Sequence, residues 1–160
     1  MPLELLKTRI PPPLYAIATA TLMWWVDRVF PIARVIEAPW SRLGWILVMI
    51  GFAIDGYSAT IFFSARTTVN PMRITDSMHL VTSGLYRWSR NPMYCGLLIA
   101  LIGWGAILGS LAPLVTIVLF QRILVIVQIA PEELALEAKF GDAYRDYKRR
   151  VNRWIGRSRR

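Results

Sequence analysis

Cysteine and histidine are almost missing from this chain: Cys95 and His79 are the only representatives of each. A lone cysteine excludes an internal disulfide, and one cysteine with one histidine cannot assemble a zinc or iron site of ordinary spacing. Charge is also scarce, at 18% of residues, against about a quarter in soluble domains. Acidic residues are scarcer still, 10 against 19 basic ones, for a net charge of +9. That balance would suit nucleic acid, but nine of the basic residues follow Glu133, behind a long apolar stretch. A basic tail in that place meets anionic lipid headgroups rather than nucleic acid, and no nucleic-acid partner is expected.

Apolar residues make up 55% of the chain and are gathered into four stretches, at 14–26, 43–63, 93–109 and 113–130. About 17 to 20 apolar residues cross a bilayer. The expected fold is therefore all-α: a polytopic membrane bundle with about four spans in a single domain, 1–160. A cytoplasmic loop at 64–91 and amphipathic C-terminal helices over 131–155 complete it. The first stretch follows Lys7 and Arg9 in the manner of a signal peptide. Asp27 and Arg28 after Trp25 make a poor cleavage site, so it reads as an uncleaved helix. Lys and Arg placement sets orientation. Fifteen basic residues fall on the side of both termini and the middle loop, against Arg28, Arg34 and Arg42 opposite. Both termini and any active site are expected on the cytoplasmic face of an inner membrane.

Asp55 and Arg122 fall inside apolar stretches at similar depth, where an ionisable group marks a function or a partner; they are expected to pair or to serve the site. Gln121, Gln128 and Glu132 share a helix face if the helix continues through Pro131. Gly96, Ala100 and Gly103 form a close-packing face. Asn91-Pro92 is a helix start, with Asn as cap and Pro in the first turn. Arg90 stands beside its free N–H groups, where a carboxylate would be held. Glu132 and Glu133 read either as first-turn acids favoured by a helix dipole or as ligands for hydroxyl and amino groups. Tyr144, Tyr147, Val151 and Trp154 line one face of a last helix, suited to the headgroup region or to a lid over a cofactor.

The run Leu80-Val81-Thr82-Ser83-Gly84-Leu85-Tyr86, then Arg90-Asn91-Pro92-Met93-Tyr94, Glu132-Glu133 and Phe140-Gly141-Asp142-Ala143-Tyr144-Arg145-Asp146-Tyr147, resembles the isoprenylcysteine carboxyl methyltransferase family, related to the phospholipid N-methyltransferases. The resemblance implies methyl transfer from S-adenosylmethionine, leaving S-adenosylhomocysteine, with the cofactor at the cytoplasmic side under the C-terminal helices. It implies that His79, Leu80, Gly84, Tyr86, Arg90, Asn91, Tyr94, Glu132 and Glu133 bind the cofactor. Glu132 and Glu133 would alternatively help to orient the substrate; apart from the resemblance, Arg122 or Arg90 is expected to orient an acidic head of the acceptor, so that Arg90, Glu133 and Arg122 are the candidate catalytic residues. Asn91 stands where many members have His, so no proton transfer is assigned to it; Leu85 stands where many have Pro.

A strongly electrophilic methyl sulfonium needs no covalent nucleophile or metal, only alignment and exclusion of water. The acceptor is lipophilic or small and enters from the bilayer: a prenylated cysteine carboxylate by resemblance, with an amine headgroup or a thiol as alternatives. A non-catalytic membrane scaffold is the competing reading. A small transporter ranks below it, because inverted repeats and broken helices are missing. Oligomeric state is left open.

Overall fold

The computed structural model describes residues 11–30, 32–64 and 79–157, with side chains omitted at 62–64. The basic residues Lys7, Arg9, Arg66 and Arg73 and most of the expected middle loop lie outside the described residues.

Among the described residues six α-helices follow one another: α1 (Pro12–Val29), α2 (Gly44–Ser64), α3 (Pro92–Leu108), α4 (Ala112–Leu124), α5 (Ala130–Phe140) and α6 (Asp142–Arg150). Proline punctuates them. Pro12, Pro92 and Pro113 sit in first turns, where the missing N–H would have no intrahelical partner. α3 stops at Gly109, whose φ of 81° is the left-handed conformation that closes a helix end.

α2 and α3 run antiparallel at backbone distance. Gly44 faces Gly103 and Gly51 faces Gly96; a Cβ placed on Gly51 would lie 2.5 Å from the Gly96 carbonyl oxygen. The glycine stripe read on α3 is thus met by a second one on α2. On its other side α3 packs with α1 and α4 around Met23, Leu97, Leu101, Ile117, Phe120 and Leu124. Trp104 donates its indole N–H to the Ala20 carbonyl at 3.0 Å. At the far end the segment after α1 lies against the α3–α4 turn, where Leu111 N–H bonds Ile32 O at 3.2 Å and Ser110 Oγ donates to Asp27 Oδ1 at 2.5 Å. Large apolar side chains such as Trp45, Met49, Phe52, Val115, Val118 and Ile126 remain exposed on the outside, an apolar surface far beyond what a water-soluble monomer shows.

Two stretches of described helix are long and apolar enough to cross a membrane, Trp40–Ile61 and Ala112–Phe140; α3, at Pro92–Leu108, is apolar but shorter. Of the four expected spans, these two therefore meet the requirement. The second differs from expectation in one respect. It does not end near Ala130 but continues through Pro131, because a π-turn over Val125–Ile129 joins α4 to α5. Pro131 cannot donate to the carbonyl four residues back, and a wide turn just before it is a common way for a helix to absorb such a break. Glu132 and Glu133 are consequently mid-helix residues. The first-turn dipole that the sequence offered as an explanation for them does not apply, and their charges need side-chain partners.

Candidate functional site

Those partners come from the turn leading into α3. A 3₁₀ turn over Gly84–Arg87 starts at Gly84 in the left-handed region, φ 57°, where a Cβ would also strike Ile61 of α2. The turn sits on the C-terminal end of α2 and brings Arg90 and Tyr94 to the α4–α5 helix. Tyr94 Oη donates to Glu132 Oε1 at 2.6 Å, across 38 positions of sequence. Gln128 Nε2 donates to the same oxygen at 3.1 Å, the two residues being one helical turn apart. Arg90 Nη1 lies 2.8 Å from Glu133 Oε1, both side chains being about nine-tenths buried. Arg153 then grips Glu133 with both arms of its guanidinium, Nε at 3.1 Å and Nη2 at 2.6 Å. One carboxylate is thus shared by two arginines.

Some polar capacity in this group is left over. Arg90 Nε and Nη1 and Gln128 Oε1 are buried without an aligned hydrogen-bond partner; the Arg90–Glu133 approach is a charge contact, off the N–H direction. A buried unmatched polar group costs about 1–3 kcal/mol; Nη1 has the charge of Glu133 against it, which leaves Arg90 Nε and Gln128 Oε1 as the two atoms with spare capacity beside the cluster.

α6 and the residues after it close the group over. Tyr144, Tyr147 and Val151 form a small core with Leu80, Leu136 and Phe140. Tyr147 Oη donates to Tyr86 O at 2.8 Å. Beyond α6 the chain lies as a strap along the turn: Arg90 N–H bonds Asn152 O at 3.0 Å and Gly156 N–H bonds Trp88 O at 2.8 Å. Asn91 Nδ2 donates to Arg153 O at 3.1 Å. Cys95, buried at the start of α3, touches Ser89 Oγ at 3.5 Å and Trp154 O at 3.7 Å. Burial pushes the Tyr144 phenol up to about 12, with the Glu133 charge adding and the Arg90 charge opposing. Burial raises the Tyr86 phenol too, and Tyr147, Glu132 and Asp55 add to it in that order.

Of the residues singled out from the sequence, Arg90, Tyr94, Glu132 and Glu133 converge directly. Leu80 packs under α6 and Tyr86 accepts from Tyr147 there, while Gly84 lies against Ile61 of α2. His79 is exposed at the start of the described segment. Asn91 precedes α3 but makes no side-chain cap; its amide ties down the strap instead, which corrects the capping expectation. Arg122 is exposed on α4, and no hydrogen bond or ion pair joins it to Asp55 among the described residues; the Asp55 carboxylate lies over Gly96. The expected Asp55–Arg122 pair is therefore not formed. Two site residues were not singled out from the sequence. Gln128 was visible only as part of a stripe leading to Glu132. Arg153 had no signal, being one of many basic residues in the tail. On the outer side of the last helix Arg145, Lys148 and Arg149 are paired with Asp142, Glu137 and Asp146.

Residues 40–143 match the phospholipid methyltransferase family, a range that holds every site residue above from Gly84 to Glu133. The chain is 30% identical over 138 residues to a Xenopus laevis protein-S-isoprenylcysteine O-methyltransferase, covering 82% of this chain and 47% of that one. It is 31% identical over 113 residues to Arabidopsis thaliana protein-S-isoprenylcysteine O-methyltransferase A, covering 69% and 56%. A Haemophilus influenzae protein of unassigned function is 43% identical over 63 residues, all of that protein and 39% of this chain. The chain spans about half the length of these two named methyltransferases. The match runs through the residues that build the buried cluster, and on it this chain belongs to the phospholipid methyltransferase family, as a relative of the isoprenylcysteine O-methyltransferases.

Proposed function

We propose that this chain is an integral-membrane, S-adenosylmethionine-dependent methyltransferase. Its acceptor would be lipophilic or small and reach the site from the bilayer, and the site would face the cytoplasm. The observation that carries the reading is the meeting of the α3 turn with the α4–α5 helix in a capped, buried group that retains unmatched polar atoms. Those atoms fit the cofactor's polar groups: Arg90 offers N–H donors to a carboxylate, and Gln128 Oε1 and Glu132 accept from amino or hydroxyl groups. When bound, the cofactor supplies an electrophilic methyl on sulfur.

The protein's own contribution is placement and dryness. Glu133 and Arg153 fix the Arg90 guanidinium, so that its spare donors point one way. Tyr94 and Gln128 hold Glu132 in one rotamer, as alignment requires. Tyr86, Tyr144 and Tyr147 roof the group and exclude water, which would otherwise compete for the same polar atoms. Leu80 packs under α6, and Gly84 seats the turn against α2. Asn91 acts through the strap, and His79 lies at its margin. Arg122 stands outside this arrangement, and its remaining part is to meet an acidic head arriving along α4. The family name points to phospholipid acceptors and the names of the relatives to isoprenylcysteine; both are lipophilic.

Protein in detergent or nanodiscs, given cofactor labelled in the methyl group and a total lipid extract, is expected to produce a labelled lipid. S-adenosylhomocysteine is expected to raise its thermal midpoint. Arg90→Ala should abolish both effects, while Arg122→Ala should keep the stabilisation. Absence of labelled product together with absence of stabilisation would overturn the reading in favour of a non-catalytic membrane subunit.

A further inference from the structure

The strap that closes the polar cluster has an outer edge that the closure itself does not use. After α6 the chain forms a small hairpin: Asn152 N–H bonds Gly156 O at 3.0 Å, and Val151 bridges to Arg157. Its tip faces two ways. Arg153 reaches back to Glu133, and Trp154 packs against the core shared by α1, α3 and α4. Ile155, between Trp154 and Gly156, is 73% exposed, more than any other large apolar side chain among the described residues. Beside it, joined by the bond from Gly156 N–H to Trp88 O, Trp88 of the turn is 59% exposed. Exposed arginines frame the two: Arg87 precedes Trp88, Arg157 follows Gly156, and Arg150 stands at the base of the hairpin. None of these three has an ion pair among the described residues, in contrast to Arg145, Lys148 and Arg149 of α6.

Position and charge favour one occupant. The turn rests on the C-terminal end of α2 and leads directly into α3, so the edge stands at the level where the apolar helices end. Tryptophan at that level lies among lipid headgroups. Unpaired arginines complement anionic lipid, each adding roughly a fivefold attraction near such a surface.

The edge is also composite. Arg87 and Trp88 belong to the turn, Ile155 and Arg157 to the strap, and the two halves adjoin only while the strap is down. A surface that binds the joined form better than the parted one must stabilise the joined form.

We propose that this edge docks on the headgroup layer of anionic phospholipid, with Trp88 and Ile155 inserted and Arg87, Arg150 and Arg157 on the phosphates, and that docking holds the strap closed. Anionic lipid then acts on the site as an effector, bound outside it. The inference goes beyond the methyltransferase reading and needs neither cofactor nor acceptor to be tested.

The readout is Cys95, the chain's single thiol, buried under Trp154 O and reactive only when its cover opens. Its alkylation by a maleimide is timed in full-length protein, in nanodiscs of phosphatidylcholine alone or mixed with phosphatidylglycerol. Wild type is expected to react about fivefold or more slowly in the anionic discs, and the difference to shrink as salt screens the surface. Arg87→Gln combined with Arg157→Gln should lose most of that difference and react at the wild-type rate in phosphatidylcholine. Acidification at the anionic surface slows the thiol in both proteins alike, so the double variant sets that background. Ile155→Ser, at a side chain with little packing to lose, should quicken labelling in either lipid. Equal wild-type rates in the two lipids overturn the inference and leave the edge to a soluble partner. Equal slowing in the double variant overturns it by placing the lipid effect elsewhere. Protection that grows with protein concentration in detergent overturns it in favour of a second copy of the chain.

Discussion

At the residue scale the decisive feature is Glu133, a buried carboxylate held between two arginines of unequal exposure. Arg90 is 11% exposed and Arg153 36%. Removing the shared charge leaves Arg90 without an ion pair among the described residues, whereas removing Arg153 leaves the buried pair intact. Glu133→Gln is therefore expected to cost about 3–5 kcal/mol, as broken buried pairs do. Arg153→Ala should cost about 1 kcal/mol or less, in the range of exposed pairs. Denaturant titration in micelles would measure both, and equal losses would show that Arg90 finds another partner. The neighbouring Tyr144 makes a second statement at this scale. Its phenol is pushed up to about 12 by burial, above the ordinary value of about 10. The folded protein thus holds this proton more tightly than the unfolded chain does. The resulting stability is complete below the unfolded value and is lost as pH rises through the folded one. Tyrosinate absorbance during an alkaline titration should show a late step near pH 12 that Tyr144→Phe removes, with loosening of the cap beginning earlier. A titration with no late step would show that Tyr144 is solvated.

At the scale of elements, the α2–α3 pair is held by contact between backbones rather than by large side chains. Gly51→Ala would bring a Cβ to 2.5 Å from Gly96 O and 2.8 Å from Ala100 N. Backbone cannot yield as a flexible side chain would, so a loss of about 1–3 kcal/mol or more is expected. Gly56, five residues on, has nothing within 4 Å, and Gly56→Ala should be neutral or gain up to about 1 kcal/mol through helix propensity. Thermal midpoints of the two variants should move in opposite directions or differ clearly; equal shifts would mean that the helices do not touch here. This seam was legible in the sequence on the α3 side, through Gly96, Ala100 and Gly103, because small residues at helical spacing have few other uses in an apolar run. The limits of α2 and α3 were legible too: stretches expected at 43–63 and 93–109, with a helix start at Asn91-Pro92, became Gly44–Ser64 and Pro92–Leu108. The passage through Pro131 was not. Proline in a first turn and proline after a π-turn look alike in sequence, and only the tertiary contacts of Glu132 with Tyr94 and of Glu133 with Arg90 tell which is present. Arg153 was hidden for a related reason: its role comes from the strap folding back, and nothing local distinguishes it from Arg149 or Arg150.

At the scale of the whole molecule, the middle of the chain and its tail close one site. The turn before α3 and the α4–α5 helix build the polar group, but the tail beyond Arg150 seals it, through Asn152, Arg153 and Gly156 on the backbone and side chains of Trp88, Arg90 and Asn91. The tail also covers Cys95, whose thiol contacts Trp154 O. Since this is the chain's single cysteine, its reactivity reports the closure without further engineering. A buried thiol reacts only when its cover opens, and the opening free energy here is carried by the Arg153–Glu133 pair and the strap hydrogen bonds. Truncation after Arg150 removes all of these while leaving Tyr144 and Tyr147 in place. Alkylation of Cys95 by a maleimide is therefore expected to quicken by about tenfold or more, the equivalent of about 1.4 kcal/mol of lost protection when opening and closing are fast. Arg153→Ala, which keeps the strap's backbone bonds, should give a smaller increase. Labelling of the truncated chain at the wild-type rate would place the protection in the packing of α2 against α3 and remove the strap from the closure of the site.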